Sequence, residues 1–374
     1  MRLKLRKGYP ATELVPKTSG PAIPATLAAF VSKAADSPNP IVYYNQMKQL
    51  SNDAVNWLDI GDDAAGQRVD NFLLGLLKGV PKSHVYRIVR SGEVRVNSKR
   101  VEASDRLVVG DRMRVPPVRS AAPASPPPAW IAPANFPVLF EDETLLAIDK
   151  PSGVAVHGGS GIAFGVIEQL RAARPEQSFL ELVHRLDRDT SGILLLAKKR
   201  AALVGMHALL RDGHVDKRYL ALVRGRWPHL RREVRVSLHK YVDANGERRV
   251  RVDPEGQDAI TIFTRSKVWR DDATLVEARL KTGRTHQIRV HLAHQGFPIA
   301  GDDKYGDFEW NRVLAKEGLK RMFLHAAKLG FTHPVTGNAV RLEAALPIEL
   351  SRYVGRLDAS VAVAAAAALA APKP

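Results

Sequence analysis

An α+β protein of two unequal folded parts is the architecture the sequence predicts, and three observations predict it. Between 136 and 357, strand-like segments outnumber helical ones and do not alternate regularly with them, which argues for a mixed, mainly antiparallel sheet rather than a doubly wound one. Between 66 and 117, two short helical patterns precede short strand-like segments, the signature of a small α/β module. Between these parts lies PPVRSAAPASPPPAWIAPAN, a proline- and alanine-rich stretch that reads as a semi-rigid linker.

Taken in order, residues 1–55 form an expected disordered extension: prolines at 10, 16, 21, 24, 38 and 40 interrupt it and no apolar face is sustained. Its opening MRLKLRK is basic, but Pro10, Glu13, Pro16 and Lys17 separate those charges from the apolar stretch 23–31, unlike a secretory signal. Met47 offers an alternative start, and residues 1–46 are expected to add neither fold nor catalysis. In the 66–117 module, Val69, Phe72, Leu73, Leu76 and Leu77 recur at helical spacing, and Gly79 and Pro81 stop that helix. Val85, Ile88 and Val89 mark one face of a second helix, with Lys82, Arg87 and Arg90 off it. EVRVN (93–97) then reads as a strand and LVVGDRMRV (107–115) as a strand pair turning at Gly110-Asp111. Residues 118–135 are the linker. In 136–357, strands are predicted at 138–150, 192–199, 219–227, 234–242, 259–269 and 274–281, and helices near 165–174, 200–212 and 286–295. Residues 358–374 are a low-complexity alanine tail, a frayed helix or disorder.

Composition narrows the function. The 374 residues are 45% hydrophobic but only 6% aromatic, so the core is aliphatic. There is no cysteine, which excludes disulfides, thiol nucleophiles, iron–sulfur clusters and cysteine-ligated zinc. No apolar run reaches the roughly 20 residues that span a bilayer. Lys and Arg total 56 against 39 Asp and Glu, a net charge of +17 and a pI near 10.1. A polyanionic partner explains such an excess, nucleic acid before an anionic membrane, for which a basic amphipathic helix is lacking.

Four segments could carry chemistry. The GGSG loop (158–161) lacks both the P-loop ending and the dinucleotide glycine spacing, and reads as a flexible turn. His286, His291 and His294 have no Asp or Glu among them to complete a metal site, so a structural or RNA-facing role is expected and no metal. HRLDRDTSG (184–192) is the densest polar cluster and leads directly into the apolar run 193–197. There Arg185 and Arg188 flank Asp187 and favour its ionised form, which suits a nucleophile or general base; a salt-bridged turn is the plainer alternative. KTGRTHQIRVHLAHQGFPIAGDDKYG (281–306) places Lys281, Arg284 and Arg289 within nine residues, able to clamp phosphate or pair with a carboxylate, or to be simply solvated.

HRLDRDTSGILLLAK, KRYLALVRG (217–225), TGRTHQIRVHLAHQGFPIAGDDKYG (282–306) and LHAAKLGFTHPVTG (324–337) together resemble the RluA-type pseudouridine synthases, over essentially all of 138–350. The 66–117 module resembles an S4-type RNA-binding domain, and its wording is most similar to the RluC subgroup, whose members act on uridines of bacterial 23S ribosomal RNA. The resemblance implies an isomerase that flips a uridine out of its stack, breaks N1–C1′ and joins C5 to C1′. It implies Asp187 as the catalytic aspartate, Arg185 as the side chain that takes the flipped base's place, Tyr219 as the ring stacked on uracil, and Arg289 as the cation paired with the catalytic carboxylate. Arg284 is assigned to RNA contact, and Lys82, Arg87, Arg90 and Arg95 to phosphates. Whether Asp187 attacks C1′ or removes the C2′ proton stays open. No cofactor is expected, and a cytoplasmic monomer without membrane contact is. The alternative is a catalytically idle S4-type RNA-binding or ribosome-assembly protein; a metal-dependent hydrolase fails for want of a carboxylate-rich ligand set.

Overall fold

A computed structural model describes residues 50–370 apart from 52, 62–63, 78–79, 119–135, 159–163, 245 and 270–271. The expectations for residues 1–46, for Met47, for most of the linker and for most of the GGSG loop therefore lie outside the described residues.

The smaller part contains strand β1 (Asn56–Asp59), helices α1 (Val69–Leu76) and α2 (Lys82–Arg90), and strands β2 (Arg95–Val96), β3 (Lys99–Arg100) and β4 (Arg112–Val115), in sheet order β1-β4-β2-β3. The two helices form where the apolar spacing places them, and Val69, Phe72, Leu73, Val85, Ile88 and Val89 are buried in one core with Leu58, Met113 and Val115. The strands differ from expectation. Residues 93–97 do not make one strand: Asn97 and Ser98 both have positive φ (51° and 65°), the geometry of a two-residue hairpin turn, and β2 pairs with β3 across it. Residues 107–115 are not a hairpin either. Val108 and Val109 are exposed, Asp111 Oδ2 accepts from Val108 N at 2.7 Å, and β4 pairs instead with β1 and β2. Two boundaries shift with this pairing. Residues 56–59, which lie between the expected extension and the expected start of the module at 66, supply β1, and Val118, expected to open the linker, is buried in the same core.

The larger part contains β5 (Val138–Glu141), β6 (Leu145–Lys150), α3 (Val166–Ala173), β7 (Glu181–Leu182), β8 (Ser191–Ala197), α4 (Arg200–Arg211), β9 (Asp216–Arg224), β10 (Arg231–Val242), β11 (Arg248–Val252), β12 (Gln257–Trp269), β13 (Ala273–Leu280), α5 (Gln287–His294), α6 (Phe308–Lys316), β14 (Leu324–Thr332), β15 (Ala339–Glu343) and α7 (Ile348–Ala370). The sheet runs β11-β10-β12-β13-β9-β14-β8-β6-β5, with β15 on β14 and β7 on β8. Of these pairings only β14–β8 is parallel, so the mixed, mainly antiparallel sheet is as the sequence predicts.

The β8 sequence SGILLLA is buried throughout because it serves two cores. Leu194 and Leu196 join Ile148, Val166, Leu170, Tyr219 and Ile288 on one face. Ile193, Leu195 and Ala197 join Leu145, Met206 and Phe331 on the other. Alternate residues of a strand point to opposite faces, so a continuous apolar run marks a strand covered on both sides. The segment 138–150, expected as one strand, is a hairpin because Asp142 Oδ1 accepts from the amides of Thr144 and Leu145 and folds the chain back.

The expected boundary at 357 falls inside a helix: α7 crosses it and continues to Ala370, the helical of the two alternatives for the alanine tail. Its Asp358 accepts from Trp269 Nε1 and pairs with Lys267 Nζ, each at 2.6 Å, and alanine, the best helix former, carries it on. Among the described residues no helix is long and apolar enough to cross a membrane.

Candidate active site

Strand register brings the two halves of the site together. On β14, Ala326 pairs with Gly192 of β8 on one side and with Tyr219 of β9 on the other. Tyr219 is thereby two strand spacings, about 10 Å, from the start of β8, and Asp187 lies in the loop just before that start. Gly192 has φ +106°, and a Cβ there would lie 2.3 Å from the Ala326 carbonyl oxygen, so this close parallel approach requires glycine.

The Asp187 loop is held from beneath by Lys150, which is fully buried at the end of β6. Its Nζ donates to the carbonyls of Pro151 (2.7 Å), Val154 (2.8 Å) and Arg188 (3.0 Å). Burial pushes its pKa down to about 7, while three acceptors match the three donors of an ammonium. Ser152 Oγ adds a bond to the Asp189 carbonyl at 2.8 Å. Lys150→Met removes a donor from three carbonyls and is expected to destabilise the protein by about 1–3 kcal/mol and to slow turnover. Wild-type melting and rate together would show that the loop does not depend on it.

Asp187 lines a cavity of 380 Å³ with Arg185, Arg211, Lys217, Tyr219, Arg284, His286 and Arg289, and it is the one carboxylate among the lining residues. Arg188 does not serve it as the sequence suggests, since its Nε turns to Asp189 Oδ1 at 3.3 Å. The cation that faces Asp187 comes from α5: Arg289 Nη1 is 3.5 Å from Oδ2. That is the longest of three contacts. Asp302, fully buried, takes the same guanidinium in two bonds, Nε–Oδ2 at 2.7 Å and Nη2–Oδ1 at 2.6 Å, and Asp303 accepts at 3.2 Å. Burial opposes ionisation of Asp302, yet Arg289 and the amides of Tyr305 and Lys304 hold its pKa below the usual carboxylate range. Burial likewise opposes the charge on Arg289, and Asp302 outweighs it, raising the guanidinium further.

The other Asp187 oxygen faces a histidine. His286 Nε2 is 3.9 Å from Oδ1. Its Nδ1 is 2.8 Å from the Tyr305 hydroxyl, which accepts from Val250 N at 2.9 Å. With the Asp187 carboxylate on the Nε2 side, the imidazole proton is assigned to Nε2 and the Tyr305 hydroxyl proton to Nδ1. Burial lowers the His286 pKa, as do Arg289 and Lys304, against the pull of Asp187. Burial, then Asp187, push the Tyr219 phenol up, so it presents a neutral ring.

The remaining candidates divide. Arg185 is exposed at the cavity. Arg284 lines it too, with Nε donating to the Asp258 carbonyl at 3.2 Å. Lys82, Arg87, Arg90 and Arg95 are exposed on the smaller part; Arg87 pairs with Glu93 at 3.3 Å, and Arg95 reaches the Gly92 and Ser98 carbonyls. His291 is fully buried and His294 exposed, so they do not share an environment. Sequence reasoning missed Asp302, Tyr305, Lys150 and Lys217, and read His286 only as a structural or RNA-facing histidine. A larger cavity of 870 Å³ lies behind the loop, lined by Lys150, Arg188, Asp303 and Arg321, and does not include Asp187.

Residues 144–294 match the family model described as RNA pseudouridylate synthase, and residues 67–113 that of the S4 domain. A ribosomal large subunit pseudouridine synthase C of Pasteurella multocida (strain Pm70) is 51% identical over 319 residues, 84% of this chain and 98% of that protein. Its namesake in Escherichia coli (strain K12) is 53% identical over 310 residues, 81% and 97% of the two chains. Among solved structures, human RNA pseudouridylate synthase domain containing 4 is 28% identical with a TM-score of 0.48, over 59% of this chain and 93% of that one.

Proposed function

The chain belongs to the RNA pseudouridylate synthase family and isomerises uridine in large-subunit ribosomal RNA; we propose that Asp187 carries the reaction, in the cavity between Tyr219 and Arg289. The observation that supports this is that Asp187 is the one carboxylate lining that cavity, with an arginine facing one oxygen and an imidazole the other. A uridine must leave its stack to reach it, at a cost of a few kcal/mol. Arg185, exposed and long, fills the vacated place. Tyr219 offers its face to the uracil and keeps the ring in place after N1–C1′ breaks. Asp187 either attacks C1′ or removes the C2′ proton. The ring turns, C5 joins C1′, the C5 proton leaves and N1 gains one, so the step is redox-neutral. The substrate is 23S ribosomal RNA, met by a monomer in the cytoplasm, where ribosomes are built. Mapping pseudouridines in ribosomal RNA from a strain lacking this protein tests the reading: specific positions should revert to uridine, and an unchanged map would refute it.

The S4-like part supplies affinity through phosphates. Replacing Lys82, Arg87, Arg90 and Arg95 by glutamine is expected to flatten the slope of log K against log salt by about three units, with turnover at saturating RNA nearly unchanged. An unaltered slope would remove these four from the RNA contact.

A further inference from the structure

Lys217 is a cation in the Asp187 cavity that the reaction described above does not use. It stands on β9 two residues before Tyr219, so both side chains leave the same face of the strand. Its Nζ lies against the Thr282-Gly283-Arg284 turn: a Cβ on Gly283 would sit 3.6 Å from it. It is partly buried, and among the described residues no hydrogen bond or ion pair reaches its ammonium. Its polar neighbour His184 is no counter-ion, because burial, reinforced by Lys217, pushes the imidazole down to about 4 and its Nε2 accepts from Leu195 N at 3.1 Å. Desolvation lowers the Lys217 pKa, and no carboxylate offsets it. An ammonium drawn out of water without a partner is costly unless an anion arrives. Five cations and one carboxylate line this cavity, and that carboxylate is met by Arg289.

We propose that Lys217 binds a phosphate of the RNA backbone next to the uridine in the cavity, its Nζ donating to a non-bridging oxygen. This rests on the reading of the cavity as the uridine site. Lys217 and Tyr219 then act in sequence along one strand face, the first holding the backbone and the second the base. The positive turn at Arg284 borders the same place.

The test uses the full-length protein, large-subunit ribosomal RNA transcripts, and a short fragment around one mapped uridine. Lys217→Met is expected to raise KM about 10- to 100-fold, the worth of one charge-assisted hydrogen bond, and to leave kcat close to wild type. The salt slope should fall by a little under one unit, and Lys217→Arg should keep it. Free Lys217→Met protein should melt no lower than wild type, because an unpartnered ammonium is lost; a purely structural lysine would lower it. In the fragment, a neutral methylphosphonate at the 5′ or 3′ phosphate of the uridine should weaken wild-type binding and leave Lys217→Met unaffected. Equal losses in both proteins from either linkage, or a fall in kcat with KM unchanged, would overturn the proposal. If instead wild type itself turned over no uridine, the reading of the cavity would fail and the proposal with it, a result distinct from an active wild type that Lys217→Met leaves unchanged.

Discussion

Asp187→Asn is expected to fold, to bind RNA and to lose isomerisation by a factor on the order of 10⁴ or more, the usual cost of removing a reacting group. Asparagine keeps the size of the side chain and removes its charge. Neither reaction route survives that change: an amide is too weak a nucleophile for C1′ and too weak a base for the C2′ proton. No other carboxylate lines the cavity to substitute for it. Stability should hardly move, because Arg289 keeps its bonds to Asp302 and Asp303 and no buried cation is stranded. Release of tritium from RNA labelled at uracil C5 measures the loss. A variant that keeps more than about a tenth of the wild-type rate, a difference near 1.4 kcal/mol in barrier, would remove Asp187 from the chemistry.

Much of the larger part was legible because its signals are local. Ile193 to Ala197 form an apolar run of strand length, which fits a strand covered on both sides, and Ile288 and Leu292 recur at helical spacing. The small sheet was less legible. Whether Val108 and Val109 pair with a neighbour depends on Asp111 capturing the Val108 amide, and β4 finds its partner in residues 56–59, ahead of the expected start of the module at 66. The site divides the same way. The order HRLDRDTSG draws attention to Asp187 because polar residues crowd the entrance to an apolar strand. Its flanking arginines misdirect, since adjacent residues in a loop diverge: Arg188 turns to Asp189. The cation that faces Asp187, Arg289, is 102 residues away, set by how α5 packs, and the family resemblance rather than local spacing pointed to it. Lys150 and Lys217 carry no sequence signal of their own, because a buried lysine is written with the same letter as a solvated one.

The second large effect concerns Asp302 rather than Asp187. Asp302→Ala is expected to destabilise the protein by about 3–5 kcal/mol, the cost of leaving one partner of a buried ion pair without the other. For a part of this size that corresponds to a fall in melting temperature of roughly 6–20 °C. Arg289→Ala should cost a similar amount, for then Asp302 is the stranded charge. Both single variants should lose activity, since Arg289 without Asp302 is free to turn from Asp187. Replacing Arg289 and Asp302 together by apolar residues removes both charges, so the double variant should be more stable than the sum of the single losses implies, while remaining inactive. The dependence on pH has a definite sign. Asp302 is held below the usual carboxylate range in the folded chain, so it binds protons less readily there than when unfolded. Its contribution is complete at neutral pH and fades as pH falls through the ordinary carboxylate range towards its lowered folded value. Asp302→Ala should therefore shallow the acid limb of the stability curve as well as lower its plateau. A chain carrying Asp302→Ala that melts with wild type at neutral pH would show that Arg289 is held by Asp187 and Asp303 alone, and the division of labour between the carboxylates would have to be redrawn.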